Sequence, residues 1–233
     1  LKCWSAMSFG RAALRKTALS LRKFSAFRWQ RSLDELFSRD GADLASYTRA
    51  AQQVGKAKHW NISIALLHHL QVVAVRVDGV FYTSLINSCR RASQWIMATQ
   101  LLMQLENGAC GVEATVHHYG AVASAYEIAG KWQKALQLMD RVHQPNQEFL
   151  GAIISACEKS SRWEVCMHIL NAMEHQHGVT PDVIAFNTVI VACGKGQRWR
   201  DALELMKQLE DHGLLPTVVT YSSVLSALER SRQ

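Results

Sequence analysis

The chain has few helix breakers and no long apolar stretch. Of its 233 residues only three are proline and 13 are glycine, whereas hydrophobic residues make up 48%. This composition can bury a core and argues against a disordered chain. No apolar run approaches the roughly 18 residues that a membrane-spanning helix requires, so we expect no transmembrane segment. The scarcity of breakers favours a helical fold.

Motifs for catalysis and for metal binding are also missing. No H-E-x-x-H pair, glycine-rich phosphate loop or G-x-S-x-G elbow occurs in the sequence. The six cysteines form no C-x-x-C pair, which argues against a metal site or a disulfide framework. We therefore expect a protein that is not an enzyme, holds no metal and needs no cofactor. Cys89, Cys157 and Cys193 are predicted to be small, reduced core residues.

Acidic residues are absent from the first 33 positions, which contain eight lysines and arginines. The other 200 residues hold 18 basic and 19 acidic side chains, so the net charge of +7 belongs to the N-terminus. Residues 1–12 are assigned to a basic arm. Two interpretations stay open for residues 1–31: an organellar targeting leader, or a retained, basic amphipathic helix that binds nucleic acid or an acidic protein surface. The basic residues of this segment to which we assign a binding role are Arg11, Arg15, Lys16, Arg22 and Lys23.

Six of the seven tryptophans recur at one position of an internal repeat. Trp163 and Trp199 are 36 residues apart, within the matching texts ISACEKSSRW and IVACGKGQRW. With tryptophan at position 17, the sequence divides into a degenerate unit at 13–43, five better units at 44–78, 79–115, 116–146, 147–182 and 183–217, and a half repeat at 218–233. An end within a repeat indicates truncation, or a terminal helix that a partner covers.

Each unit has the pattern of two helices joined by a short break. In the unit 183–217, Phe186 and Ile190 lie one helical turn apart, and the run Gly194–Lys195–Gly196 interrupts the pattern. The apolar positions predicted for the second helix of that unit are Leu203, Met206 and Leu209. Such a hairpin buries its apolar face only when hairpins stack on one another.

Two segments show a family resemblance. The texts PDVIAFNTVI, from Pro181, and PTVVTYSSVL, from Pro216, strongly resemble the opening of pentatricopeptide repeats. The tetratricopeptide repeat is the alternative, but its tryptophan lies in the first helix, whereas here tryptophan opens the second. The resemblance covers residues 44–233 well and 13–43 weakly. It implies an all-α fold, an α-solenoid in which hairpins of about 35 residues wind into a right-handed superhelix.

The resemblance also implies sequence-selective binding of single-stranded RNA, one base per repeat, in a mitochondrion or chloroplast. In that family the fifth and last residues of a unit read a base, the second stacks on it, and a basic residue at position 13 approaches the phosphates. Carried onto this sequence, the base-reading residues are Thr48, Asp78, Thr83, Thr115, Asn187, Thr217 and Ser222. The stacking residues are Val80, Ile184 and Val219. The phosphate-contacting residues are Lys56, Arg91, Lys159, Lys195 and Arg230.

Two neighbouring units depart from this pattern. Their fifth residues are Gly120 and Gly151, so neither unit carries a base-reading side chain there. Glu148, at the second position, places a carboxylate near phosphates that it would repel. Two functions stay open: a non-catalytic RNA-binding adaptor in RNA processing, stability or translation, and a structural subunit of a large organellar assembly, such as a ribosome or a membrane complex, that contacts protein or rRNA. A peptide-binding solenoid is a third hypothesis.

Overall fold

The computed structural model describes residues 43–72, 75–108 and 111–231 as α-helices joined by short turns, and no β-strand occurs in these ranges. The helices are α1 (Leu44–Lys56), α2 (Trp60–Val72), α3 (Gly79–Arg91), α4 (Trp95–Glu106), α5 (Val116–Ile128), α6 (Trp132–Met139), α7 (Gln147–Lys159), α8 (Trp163–His175), α9 (Val183–Lys195), α10 (Trp199–Asp211) and α11 (Val218–Arg230). The all-α prediction is confirmed. The predicted basic arm, and the degenerate first repeat apart from Asp43, lie outside the described residues.

The described residues divide into two compact units, one that ends at His118 and one that begins at Tyr119. In the first unit, α1 packs against α2 and α3, and α3 packs against α4. In the second unit, α7, α9 and α11 pack side by side, while α8 and α10 each contact the two helices that flank them in sequence. Each unit is therefore built of helical hairpins that share their interior with the next hairpin.

The first helix of a hairpin begins after a short polar residue that caps it. The side chain of this residue accepts a hydrogen bond from the backbone N–H three positions later, which satisfies one of the free donors at the helix end. The capping residues are Asp43, Asp78, Asn146, Asp182 and Thr217. The helices that follow these caps are each 13 residues long.

The second helix of each hairpin begins at the repeated tryptophan. These tryptophans are Trp60, Trp95, Trp132, Trp163 and Trp199. Two residues earlier, the backbone of every hairpin turn has a positive φ, at Lys58, Ser93, Gly130, Ser161 and Gln197. Left-handed backbone costs a side-chain-bearing residue roughly 1–2 kcal/mol, and it allows the chain to reverse within a few residues. Four of the five turns carry this cost, because only one of them uses glycine.

The core-facing side of α10 differs from the predicted one. Ala202, Leu205 and Leu209 are buried, whereas Leu203 and Met206 are only half-buried. The prediction was therefore wrong for two of its three positions. Helices approach each other closely where a small side chain lies at their contact, so an alanine can face the core in place of a larger apolar residue.

Three cysteines at the same repeat position belong to the core. Cys89, Cys157 and Cys193 are free thiols with no exposed surface. Burial raises the pKa of the Cys89 and Cys193 thiols to about 12. Because the thiolate is the reactive form, these two cysteines are inert near neutral pH, and the predicted core role of all three is confirmed by their burial.

Candidate nucleic-acid interface

The fifth residues of the first helices lie one turn inside the helix. The hydroxyl of Thr48 donates to the carbonyl oxygen of Leu44 at 2.9 Å, and that of Thr83 donates to the carbonyl oxygen of Gly79 at 2.9 Å. The hydroxyl of Ser222 donates in the same way to Val219, at 3.0 Å. Since each hydroxyl proton is used inside its helix, these residues present oxygen lone pairs to a ligand.

Asn187 is the most buried of the predicted base-reading residues. Its side chain is only 9% exposed, and its buried Oδ1 has no hydrogen-bond partner. It lies in a cleft of about 540 Å³ whose walls include Ile184, Val219 and Thr217. A buried acceptor without a donor is costly, so a ligand in the cleft that supplied an N–H or O–H group, with the amide turned towards it, would remove this cost.

The last residue of a unit caps the first helix of the next unit, a role that the repeat pattern did not predict. The Oδ1 atom of Asp78 accepts from the backbone N–H of Phe81 at 2.8 Å, and that of Asp182 accepts from Ala185 at 2.8 Å. The Oδ1 atom of Asn146 accepts from Phe149 at 2.9 Å. Because one side-chain oxygen is used for the cap, an aspartate has only its second carboxylate oxygen left to accept a hydrogen bond from a ligand, whereas an asparagine has its amide N–H groups left to donate one.

His118 anchors the predicted base-reading residue Thr115. The Nδ1 atom of His118 accepts from the backbone N–H of Thr115 at 3.0 Å and lies 2.8 Å from its hydroxyl oxygen. Because Nδ1 accepts, the proton is on Nε2, which donates to the carbonyl oxygen of Gly79 at 2.9 Å. The buried imidazole thus joins the starts of α3 and α5. The only sign of this role in the sequence is that His118 is the third residue of α5.

Thr217 is held by a reciprocal capping box. Its hydroxyl oxygen accepts from the backbone N–H of Thr220 at 3.4 Å, while the Thr220 hydroxyl oxygen accepts from the backbone N–H of Thr217 at 3.0 Å. The two hydroxyl oxygens are 3.2 Å apart. The threonine that faces the Asn187 cleft is therefore fixed in position before any ligand arrives.

The predicted stacking residues present apolar groups to solvent. Val80 is 60% exposed, Ile184 73% and Val219 58%. Ile184 and Val219 line the same cleft as Asn187. Exposed aliphatic groups at the second position of α3, α9 and α11 provide apolar surfaces on which a flat base can pack.

The glycines at the fifth position leave empty space. A Cβ atom added to Gly120 or to Gly151 would find no heavy atom within 4 Å. Gly151 lines a cleft of about 480 Å³ together with Glu148 and Asp182. Packing therefore does not require glycine at these two positions, and the cleft at Gly151 is lined by two carboxylates.

The basic residues at position 13 fall into two groups. Lys56, Arg91 and Arg230 end their helices as exposed side chains. Lys159 instead forms an ion pair with Glu127, its Nζ atom 2.8 Å from Oε1, and Lys195 forms one with Glu158, at 2.7 Å. Two of the five predicted phosphate contacts are thus already paired with carboxylates of the preceding hairpin.

The tryptophans pack against the next hairpin. In the second unit, the guanidinium of Arg162 lies 5.0 Å from the Trp132 ring centroid, and that of Arg198 lies 4.7 Å from the Trp163 ring centroid. A Cβ atom at Gly196 would collide with the Trp163 indole, so this glycine gives the ring its room. The indoles therefore serve contacts between hairpins.

Other kinds of site are not found within residues 43–72, 75–108 and 111–231. No group of three or more histidine, cysteine, aspartate or glutamate side chains there could hold a metal ion. In the same part of the chain, every helix is too short or too polar to cross a membrane.

Family profiles match more than half of the chain. The profile described as "PPR repeat family" matches residues 181–230, and the one described as "Pentatricopeptide repeat domain" matches residues 144–196. A third, described as "PPR repeat", matches residues 80–108 and 117–144. The matches cover both compact units.

Curated relatives carry the same repeat in their names. Pentatricopeptide repeat-containing protein 10, chloroplastic, of Zea mays is 28% identical over 113 residues, which are 47% of this chain and 14% of the relative. The small ribosomal subunit protein mL103 (rPPR7) of Arabidopsis thaliana is 21% identical over 185 residues, 78% of this chain and 44% of the relative. The chain spans about 30% of the length of the first two curated relatives it matches.

A solved structure shows the same fold. The pentatricopeptide repeat protein PPR10, crystallised in complex with an 18-nucleotide psaJ RNA element, aligns with a TM-score of 0.71 at 23% identity. The alignment covers 94% of this chain and 33% of PPR10. The predicted fold class, an all-α solenoid of helix–turn–helix repeats, is therefore confirmed.

Proposed function

We propose that this chain, which belongs to the pentatricopeptide repeat family, binds single-stranded RNA by base-selective contacts and acts as a non-catalytic adaptor in an organelle. The observation that carries the proposal is Asn187, a nine-tenths buried amide whose acceptor oxygen has no partner among the described residues. It lines the same cleft as two exposed aliphatic side chains, Ile184 and Val219. A pyrimidine base has donors and acceptors on its edge and apolar faces above and below, which fits such a cleft.

The dimensions of a first helix support the same ligand. Asn187 and Lys195 are eight residues apart on α9, which corresponds to about 12 Å along the helix axis. This is the reach of one nucleotide from its base edge to its phosphate. A base at Asn187 therefore brings its backbone towards the C-terminal end of the helix, where Lys195 is paired with Glu158.

The relatives support the organellar and RNA-binding parts of the proposal. PPR10 was crystallised with RNA, and a Zea mays relative is named as chloroplastic. RNA processing, stability and translation are the roles open to a solenoid that binds RNA without cleaving it. The name of the chloroplastic relative also supports the proposed location in a mitochondrion or chloroplast.

A second candidate function has its own support. The relative named as a small ribosomal subunit protein aligns with 78% of this chain. Gly120 and Gly151 leave two hairpins without a reading side chain, and two lysines are paired internally. A subunit of a large assembly, docked on protein or on rRNA phosphates, needs few reading residues. A subunit docked on protein would stay with a megadalton complex after RNase treatment, whereas a chain held by RNA would be released.

The RNA-binding proposal is tested with two substitutions that remove reading groups, Thr48→Ala and Asn187→Ala. The double variant should bind a random single-stranded RNA pool at least about fivefold more weakly than the unmodified chain, because good base contacts contribute about 1–3 kcal/mol each. Binding is measured at two salt concentrations, with duplex RNA as competitor. Ser226→Ala, an exposed change on α11, is the matched control. Negligible binding by the unmodified chain, or equal binding by all variants, would overturn the proposal.

A further inference from the structure

Two ion pairs of the second unit connect successive first helices in the same way. Lys159, the last residue of α7, pairs with Glu127, the last but one of α5. Lys195, the last residue of α9, pairs with Glu158, the last but one of α7. The Lys195 Nζ atom also lies 3.3 Å from the backbone carbonyl oxygen of Glu158, to which it donates. The arrangement therefore repeats from one hairpin to the next.

In both pairs the carboxylate lies deeper than the ammonium. The side chain of Glu127 is 22% exposed against 49% for Lys159, and that of Glu158 is 14% exposed against 31% for Lys195. A phosphate that approaches either lysine from solvent therefore meets an ammonium group that is already in contact with a more deeply buried carboxylate. Such a pair is screened less than a fully exposed one, because both partners are partly removed from water.

Other hairpins lack the carboxylate. The last but one residue of α1 is Gly55, and the basic residue one hairpin later, at the end of α3, is Arg91. In the same way, the last but one residue of α9 is Gly194, and the basic residue at the end of α11 is Arg230. Both arginines are exposed, and neither pairs with a carboxylate of the described residues. A Cβ atom at Gly194 would lie 3.0 Å from that of Ala227, so a glutamate there would force the neighbouring helix to shift.

We infer that Glu127 and Glu158 limit RNA binding, because they hold Lys159 and Lys195 as internal partners and so keep these lysines from RNA phosphates. The inference rests on the proposed function. A phosphate can bind either lysine only by displacing the carboxylate or by lying close to it, and like charges repel at that distance. The unpaired Arg230 therefore contributes more to backbone binding in the second unit than the two lysines together.

The test replaces both carboxylates with their uncharged isosteres, Glu127→Gln and Glu158→Gln. The double variant should bind single-stranded RNA roughly 5- to 30-fold more tightly at low salt, since each of the two charge pairs is worth about 1 kcal/mol at contact even in water. The slope of log K against log salt concentration should steepen by about 1.4, about 0.7 for each lysine that is released to a phosphate. The probe is a random-sequence single-stranded RNA pool, and thermal unfolding reports on the fold.

A double-mutant cycle identifies the lysines as the cause. Lys159→Gln with Lys195→Gln should change binding less than twofold in the unmodified chain, but should abolish the gain in the Glu→Gln background. Glu204→Gln, an exposed carboxylate of α10, is the matched control and should have no effect. Unchanged or weaker binding by the folded Glu→Gln variant would overturn the inference while the proposed function stands. Absence of RNA binding by every variant would overturn both.

Discussion

Replacing Phe149 by alanine is expected to lower the free energy of unfolding by about 3–5 kcal/mol. Phe149 lies in α7 and has no exposed surface. The substitution removes most of its side chain from a close-packed interior that refills the space only in part. The cap of α7 should survive, because Asn146 accepts from the backbone N–H of Phe149 and not from its ring.

The loss is measured from urea unfolding followed by circular dichroism, with Tyr221→Ala as the matched control. Tyr221 is an aromatic residue of α11 that is half exposed, so its removal should cost no more than about 0.5 kcal/mol. Since hairpins stack in one dimension, the transition should also lose cooperativity, with the hairpins around α7 melting first. Equal losses for the two variants would contradict the packing described for α7.

The second large effect is a gain of RNA binding at Gly151. Gly151→Asn combined with Glu148→Val should tighten binding to RNAs that present a pyrimidine there by roughly 5- to 150-fold, the equivalent of a base contact worth about 1–3 kcal/mol. The asparagine side chain has room, because no heavy atom lies within 4 Å of a Cβ at this position. Valine at 148 replaces the repelling carboxylate with an apolar surface like that of Ile184 beside Asn187.

The control for this gain is Gly151→Ala with Glu148→Val. Both variants remove the same carboxylate. Replacing glycine should stabilise α7 by up to about 1 kcal/mol with alanine but by only a few tenths with asparagine, which is itself a poor helix former. Only the asparagine variant should acquire a base preference. Affinities are measured by titration with short RNAs that differ at one position. Identical affinities for the asparagine and alanine variants would show that the fifth position of this hairpin does not face the RNA.

The helices were predictable because their signals are local. The recurring tryptophan marks the start of every second helix, and Asp78 and Asp182 stand where a helix cap is needed. The face of α10 was not predictable in this way, since the burial of Ala202 depends on how closely neighbouring helices approach. Periodicity reports apolar spacing but not interhelical distance.

The contents of the candidate site could be predicted only in part. The repeat register assigned Asn187, Ile184 and Val219 to equivalent positions, and the structure brings these three into one cleft. The pairing of Lys159 with Glu127 was not visible, because the two residues are 32 positions apart and lie in different hairpins. The link from His118 to Gly79 spans 39 positions and was missed for the same reason.

The most direct test of base reading is a selection from a random single-stranded RNA pool, carried out in parallel with the unmodified chain and with Asn187→Thr. The variant keeps a hydrogen-bonding group of similar size but exchanges an amide for a hydroxyl, and so changes the pattern of donors and acceptors in one cleft. We predict that the two enriched motifs differ at one nucleotide position and agree elsewhere. Identical motifs, or no enrichment with the unmodified chain, would contradict the central claim that the first helices of these hairpins read RNA bases.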